Sequence, residues 1–318
     1  MNNTMIELKI KLKEILSFIK DKNDVIYLDY PMHHNVGDLL IYQGALKLLS
    51  DNGVKIKTFR SADDYNIDEI RGKLTPNTTI LCHGGGNFGD IYHAHQSLRE
   101  NVVKGLKENR IIILPQTAFF KDDNNLKKAK EIFLSHNDVV LFARDINTLK
   151  LFKEFSDKSY LMPDTAHYLY GEMSTSIKNK GTTLYFMRID CEANPFQDAL
   201  LAESGDAASI DWADIITIRD KAERKLLRKT TVFGKNYKLS FVNDLVSSLW
   251  RSHCIRITKR SSELFSSYDQ VITSRMHGHI LSCLVDTPNK ILDNSYGKNS
   301  GYYSQWTSKI DSAVLVKD

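Results

Sequence analysis

Cysteine is scarce in this 318-residue chain: Cys82, Cys191, Cys254 and Cys283 stand far apart, with no CxxC spacing. That excludes a zinc knuckle and a redox pair and leaves free, mostly buried thiols. Also missing is any apolar run near the roughly 20 residues that cross a bilayer, and the N-terminus carries no signal-peptide core. The expectation is a soluble cytoplasmic protein. Lys and Arg exceed Asp and Glu only by 43 to 39, without a basic block, which argues against a nucleic-acid partner. The small positive balance suits anionic small substrates or an anionic membrane surface. No phosphate loop ending in Lys-Ser/Thr and no dinucleotide fingerprint occurs, so neither ATP nor NAD is indicated. The pairs His33/His34, His93/His95 and His277/His279 lack the i,i+4 spacing beside a Glu that marks a helical metal site, so no metal and no cofactor is expected. Repeats, low-complexity tracts and proline-rich linkers are absent as well.

What is present is an ordinary globular composition, 42% hydrophobic, at a length that suits two domains. Apolar runs of strand length alternate with amphipathic stretches, as in βα units around parallel sheets. Met5 to Lys20 reads as an opening helix with Ile6, Ile10, Ile15 and Ile19 on its apolar side. Strands are expected at Val25–Asp29, Val54–Phe59, Thr79–Cys82, Ile111–Leu114, Val139–Phe142 and Tyr160–Met162, with helices at Leu39–Ser50, Ile91–Lys107, Leu126–Leu134 and Ile146–Phe155. After Pro163-Asp164 the pattern loosens, and Gly171 to Gly181 reads as the connection between domains 1–170 and 171–318. The second set comprises strands Thr183–Met187, Ile215–Ile218, Gln270–Thr273 and Lys290–Leu292 and helices Val242–Trp250, Ser261–Phe265 and Gly278–Leu284. Between them, polar Asp190 to Asp214 reads as an insertion or a lid loop.

Two turns carry chemistry. Ser274-Arg275-Met276-His277-Gly278-His279 puts a cation and an imidazole where a strand gives way to a helix, a place whose backbone N–H groups favour an anion. His83-Gly84-Gly85-Gly86-Asn87-Phe88-Gly89-Asp90 follows a strand, and three glycines let a ligand touch its backbone. In open α/β sheets ligands sit beyond the carboxyl ends of the strands, which adds Tyr30 to Asp38, Pro115-Gln116-Thr117, Ala143-Arg144-Asp145 and Arg188. Two such rims facing each other, with Arg144, Arg188 and Arg275 between them, favour a multiply charged anion.

Asn35-x-Gly37-Asp38, Gly84-Gly85-Gly86-Asn87-x-x-Asp90, Leu114-Pro115-Gln116-Thr117, Ala143-Arg144-Asp145, Pro163-Asp164, Arg275-Met276-His277-Gly278 and Asp293 to Asn299 occur in this order. Together they resemble the polysaccharide pyruvyl transferase family, and the run Gly301 to Trp306 is similar to its exopolysaccharide and biofilm-matrix branch. The resemblance implies a GT-B-like α/β fold, two Rossmann-like domains with parallel sheets facing across a cleft. It also implies phosphoenolpyruvate as donor, and as acceptor a sugar of a bacterial surface polysaccharide or of its polyprenyl-linked precursor, at the inner face of the membrane. On that footing Arg275 and His277 bind phosphoenolpyruvate and His277 passes a proton. Asp90 is the base, Arg144 or Arg188 completes the anion clamp, and Gly278 belongs to the donor turn. Asn35, Asp38, Gly84, Gly85, Gly86, Asn87 and Gln116 line the acceptor side. A nucleotide-sugar glycosyltransferase on the same fold and a non-catalytic component of an exopolysaccharide assembly complex are the alternatives. The first wants a ribose-binding glutamate that residues such as Glu263 do not clearly supply. Tyr302, Tyr303 and Trp306 read as exposed, open to a sugar, the second domain or a partner subunit, and a homo-oligomer is compatible with them.

Overall fold

The computed structural model describes residues 2–173, 175, 179–189, 196–203, 208–293 and 297–316. In the first half the strands are β1 (Val25–Leu28), β2 (Ile56–Arg60), β3 (Thr79–Cys82), β4 (Gly85–Gly89), β5 (Arg110–Phe119), β6 (Val139–Ala143) and β7 (Ser159–Leu161). Its helices are α1 (Asn3–Leu12), α2 (Val36–Asp51), α3 (Ile67–Arg71), α4 (His93–Gly105), α5 (Asp123–Leu134) and α6 (Ile146–Phe152). The second half adds β8 (Asn179–Phe186), β9 (Ser209–Ile210), β10 (Tyr268–Thr273), β11 (Asn289–Leu292) and β12 (Ala313–Val316). Its helices are α7 (Phe196–Glu203), α8 (Trp212–Ile215), α9 (Ile218–Asn236), α10 (Ser240–Ser266), α11 (Met276–Leu284) and α12 (Lys298–Tyr302). The strand orders are β2-β1-β3-β5-β6-β7, with β4 beside β5, and β12-β11-β10-β8-β9. Every ladder among the described residues is parallel. Both sheets are covered by helices, which is why β1, β3 and β6 are buried at every position instead of alternating. This is the two-domain Rossmann-like, GT-B-like architecture.

Several elements depart from the sequence expectation. The glycine-rich turn is a strand: Gly85, Phe88 and Gly89 pair with Gln116, Ala118 and Phe119 of an elongated β5. Helix α1 gives way to a 3-10 segment, Lys13–Phe18, and its buried stripe is Met5, Leu8, Leu12 and Ile15, while Ile10 is exposed. Ile215–Ile218 is no strand. Two capping boxes stand back to back there, Asp211 with Asp214 opening α8 and Thr217 with Asp220 opening α9, so the backbone donors go to caps and not to a ladder. The helices expected at Val242–Trp250 and Ser261–Phe265 are parts of the single helix α10. Described parts of the Asp190–Asp214 stretch form α7, β9 and the start of α8. Positions 190–195, Cys191 among them, positions 204–207, part of the Gly171–Gly181 connection and Asn294 to Tyr296 lie outside the described residues.

The two sheets share a core. One continuous apolar cluster runs from Met5 and Leu12 through Tyr27 and Tyr42 to Phe186, Trp212, Trp250, Phe265 and Leu281. A second, holding Ile26, Ile80, Phe88, Phe133 and Phe152, fills the other face of the first sheet. Although they follow β8 in sequence, α9 and α10 dock on the first half. Trp250 donates to the Pro31 carbonyl at 2.6 Å, Arg224 to the Met32 carbonyl at 2.8 Å, and buried Arg60 to Asp244 at 2.7 Å.

Candidate active site

The carboxyl edges of the two sheets face each other across a cleft of about 280 Å³. His33, Asn35, Asp38, Gly86, Asn87, Tyr92, His95 and Arg144 line it from the first half, and Arg188, Trp212, Arg275, Met276, His277, Lys298 and Asn299 from the second. Each wall has a reason to be there. Asn35 caps α2, its Oδ1 accepting the Gly37 N–H at 3.1 Å, so the helix opens toward the cleft. Arg275 precedes the first turn of α11 and carries His277 in that turn.

His277, partly buried, ends a chain of hydrogen bonds that runs through the buried Asp164–Arg144 ion pair. Its Nε2 lies 3.2 Å from Asp164 Oδ2, and the same oxygen accepts from Arg144 Nη1 at 2.6 Å. Asp164 Oδ1 accepts the Ala166 N–H at 2.9 Å. Burial alone would raise the Asp164 carboxyl, but His277, Arg144 and that N–H outweigh it and hold it well below the ordinary range. The other face of the imidazole rests on α2: a Cβ on Gly37 would sit 2.6 Å from His277 Nδ1.

A second carboxylate–imidazole pair stands on the opposite wall. Asp29, fully buried just past β1 and at φ 65°, accepts from His95 Nδ1 at 2.6 Å and from Arg99 Nη2 at 2.9 Å. Left-handed backbone at a non-glycine residue is strained, and here it turns the carboxylate from the sheet toward α4. Arg99 also donates to the Asn87 carbonyl at 2.9 Å and to its side chain.

The cations are anchored differently. Arg144 is buried and also donates to Thr117 Oγ1 at 2.9 Å. Arg275 makes a bidentate pair with Asp211. The Arg188 backbone is clamped, N–H to Ser274 Oγ at 2.9 Å and carbonyl to Gln197 Nε2 at 3.0 Å. Gly86 leaves room between Arg144 and Lys298, since a Cβ there would meet their nitrogens at 3.0 and 3.1 Å.

Of the residues expected at the site, Asn35, Asp38, Gly86, Asn87, Arg144, Arg188, Arg275 and His277 line one cleft. Four stand behind it. Gln116 is buried and orients Asn87, donating to its Oδ1 at 3.2 Å and to the His83 carbonyl at 2.8 Å. At Gly84 and Gly278 a Cβ would strike Pro115 O at 2.7 Å and Thr273 Oγ1 at 2.5 Å, so these glycines serve packing. Gly85, at φ 121°, abuts the Asp38 carboxylate. Asp90 lies elsewhere: both oxygens accept backbone N–H groups, from Lys121 and Asp122 at 2.8 Å each, and it faces a separate depression on the surface. Tyr302 and Trp306 are buried, not exposed. The Tyr302 hydroxyl accepts the Asp164 N–H at 3.1 Å and meets His167 Nε2 at 2.9 Å, and Trp306 Nε1 donates to the Arg144 carbonyl at 2.7 Å. Among the described residues no group of three or more His, Cys, Asp or Glu is placed to hold a metal ion, and no helix is long and apolar enough to cross a membrane.

Sequence reasoning left Asp29, His95, Asp164 and Lys298 off the site. Asp29 and Asp164 each follow a strand end, where polar residues of an α/β sheet converge, and Lys298 stands in a polar run after β11. His95 stands out only as one of a histidine pair set aside as a metal site, and its partner Asp29 is 66 positions away.

A sequence model of the polysaccharide pyruvyl transferases matches residues 35–296, from the α2 cap to beyond His277. The chain belongs to this family. This pyruvyl transferase is 34% identical over 318 residues to a Bacillus subtilis (strain 168) protein provisionally named pyruvyl transferase EpsO, covering 99% of the present chain and 95% of EpsO. It is 26% identical to pyruvyl transferase 1 of Schizosaccharomyces pombe (strain 972 / ATCC 24843), over 92% of this chain and 73% of that one. A functionally uncharacterised Klebsiella pneumoniae protein shares its fold over the full length of both chains, with a TM-score of 0.62 at 17% identity. The activity that membership supports is pyruvyl transfer onto a polysaccharide.

Proposed function

We propose that the donor is phosphoenolpyruvate and the acceptor a hexose of a bacterial surface polysaccharide or of its polyprenyl-linked precursor, pyruvylated as a cyclic ketal with release of phosphate. The reading is carried by one observation: two carboxylate–imidazole pairs line a cleft that also holds Arg144, Arg188, Arg275 and Lys298. The cations match a donor bearing both phosphate and carboxylate. His277, held by Asp164, gives a proton to the methylene carbon, which becomes the methyl group while positive charge develops on the adjacent carbon. A sugar hydroxyl attacks that carbon as His95, held by Asp29, takes its proton. The C–O bond to phosphate then breaks, and the second hydroxyl closes the ring. Of the two hydroxyl protons, one balances the new methyl hydrogen and the other leaves with phosphate. His95 thereby takes the role that the sequence suggested for Asp90. Positioned acid and base groups of this kind each contribute on the order of 100 to 10,000-fold. All of this fits work on the inner face of the cell membrane without a bound cofactor.

Phosphate release from phosphoenolpyruvate, measured with the purified protein and a panel of free and lipid-linked sugars, tests the reading. Sugar-dependent release that disappears in His277→Ala and Arg275→Ala supports it. Release of a nucleoside diphosphate from a nucleotide sugar would turn the assignment to a glycosyltransferase. Full polysaccharide pyruvylation in cells carrying only His277→Ala would leave the chain a scaffold.

A further inference from the structure

Helices α9 and α10 form an antiparallel hairpin whose outer side is apolar where solvent should select polar residues. On α9 Leu226 and Phe233 and at its C-cap Tyr237 are 65%, 51% and 67% exposed, and on α10 Phe241, Leu245 and Leu249 are 69%, 60% and 47% exposed. Their spacings, i, i+7, i+11 and i, i+4, i+8, put each set on one side of its helix. The Phe233 and Tyr237 rings lie together, 4.6 Å between centroids, beside the turn between the helices. Cations frame this stripe. Residues 218–238 hold eight Lys or Arg against two acids, and both acids are bound to arginines of α10, Glu223 to Arg256 at 2.6 Å and Asp220 to Arg260. Arg219, Lys221, Lys225, Lys229 and Lys238 remain exposed.

We propose that this hairpin is a docking surface for an anionic lipid bilayer, lying in the headgroup region with the aromatic turn inserted. Exposed apolar rings flanked by lysines suit that interface, where acyl boundary and negative headgroups adjoin. Charge decides against a second copy of the chain, because a symmetric pairing brings the lysines of one hairpin against those of the other. The surface is mechanically tied to the cleft. Arg224 of α9 holds the Met32 carbonyl, next to cleft-lining His33, and from Arg224 to Tyr237 the helix runs about 20 Å. Docking therefore holds the cleft beside the bilayer surface, an arrangement independent of which donor the cleft takes.

Sedimentation of the full chain with vesicles of phosphatidylglycerol and phosphatidylcholine, beside vesicles of phosphatidylcholine alone, provides the test. The expected result is binding to the anionic vesicles that weakens with salt. Lys225→Glu/Lys229→Glu/Lys238→Glu lowers it on the order of 100-fold, and Phe233→Ser/Tyr237→Ser/Phe241→Ser abolishes it. Both variants change exposed positions, and an unchanged melting temperature confirms that they fold. No binding to anionic vesicles, equal binding to neutral ones, or undiminished binding by either variant overturns the proposal. So does a concentration-dependent dimer that the serine variant dissolves, which would assign the face to a second copy.

Discussion

The two carboxylate–imidazole pairs look alike but are built differently. Asp29 and His95 both belong to the first half and are tied by Arg99 to the same sheet edge. Asp164 and His277 come from opposite sides of the cleft, and their 3.2 Å contact exists only while the two sheets sit at their present separation. The first pair is preassembled, whereas the second reports on domain position. On the function proposed above, a proton donor assembled from both halves and a base built within one would favour protonation of the donor only once both walls of the cleft are in place, since hydrolysis is the competing fate.

The sharpest way to break this comparison is to remove each ring. His277→Ala should lower turnover by 1,000-fold or more and His95→Ala by about 100-fold, near the two ends of the range for positioned acid–base groups, read from phosphate release at saturating donor. Equal losses would make the pairs interchangeable. Next comes stability. Asp164→Asn leaves the buried Arg144 guanidinium without its anion and should cost about 3 to 5 kcal/mol in denaturant unfolding. The carboxyl is held below its ordinary 3.8, so the folded state binds its proton more weakly than the unfolded one. Its contribution is then complete above that value and is lost as pH falls below it. The melting temperature of the wild type should accordingly drop more steeply in acid than that of Asp164→Asn. A smaller effect is expected from Gly37→Ala, whose Cβ would press on His277 Nδ1 at 2.6 Å: turnover falls about tenfold with little change in melting, while the Asp29–His95 pair is untouched. Smallest of all, Asp90→Ala should leave turnover within about twofold and cost about 1 kcal/mol, because that carboxylate serves a turn.

Much of the first sheet was legible because doubly covered parallel strands write themselves as short apolar runs, as Val25–Leu28 and Val139–Ala143 do. The second half was harder. Helix α9 escaped because the usual signal is inverted: its buried positions include Asp220, Thr231 and Gly234, while Leu226 and Phe233 face out. Helix α10 looked like two helices because its inner side carries Ser247, His253, Thr258, Ser261 and Ser262 amid Trp250, Ile257 and Phe265. At the site, residues adjacent to turns could be read locally, as Arg275 and His277 were. Asp164 takes its meaning from a histidine 113 positions away, and no local pattern encodes such a meeting. The glycine run misled in the opposite direction, since residues without side chains resemble a turn until the ladder to β5 accounts for their backbone.

Trp306 and Tyr302 support Arg144 and Asp164 from behind, and Lys298 reaches the cleft from the same segment. A nascent chain halted before Lys298 would already carry both imidazoles and three of the four cleft cations. It would still lack the struts that hold Arg144 and Asp164 in register. On the ribosome, then, the cleft cannot be complete until the segment that crosses back behind Arg144 and Asp164 has been made.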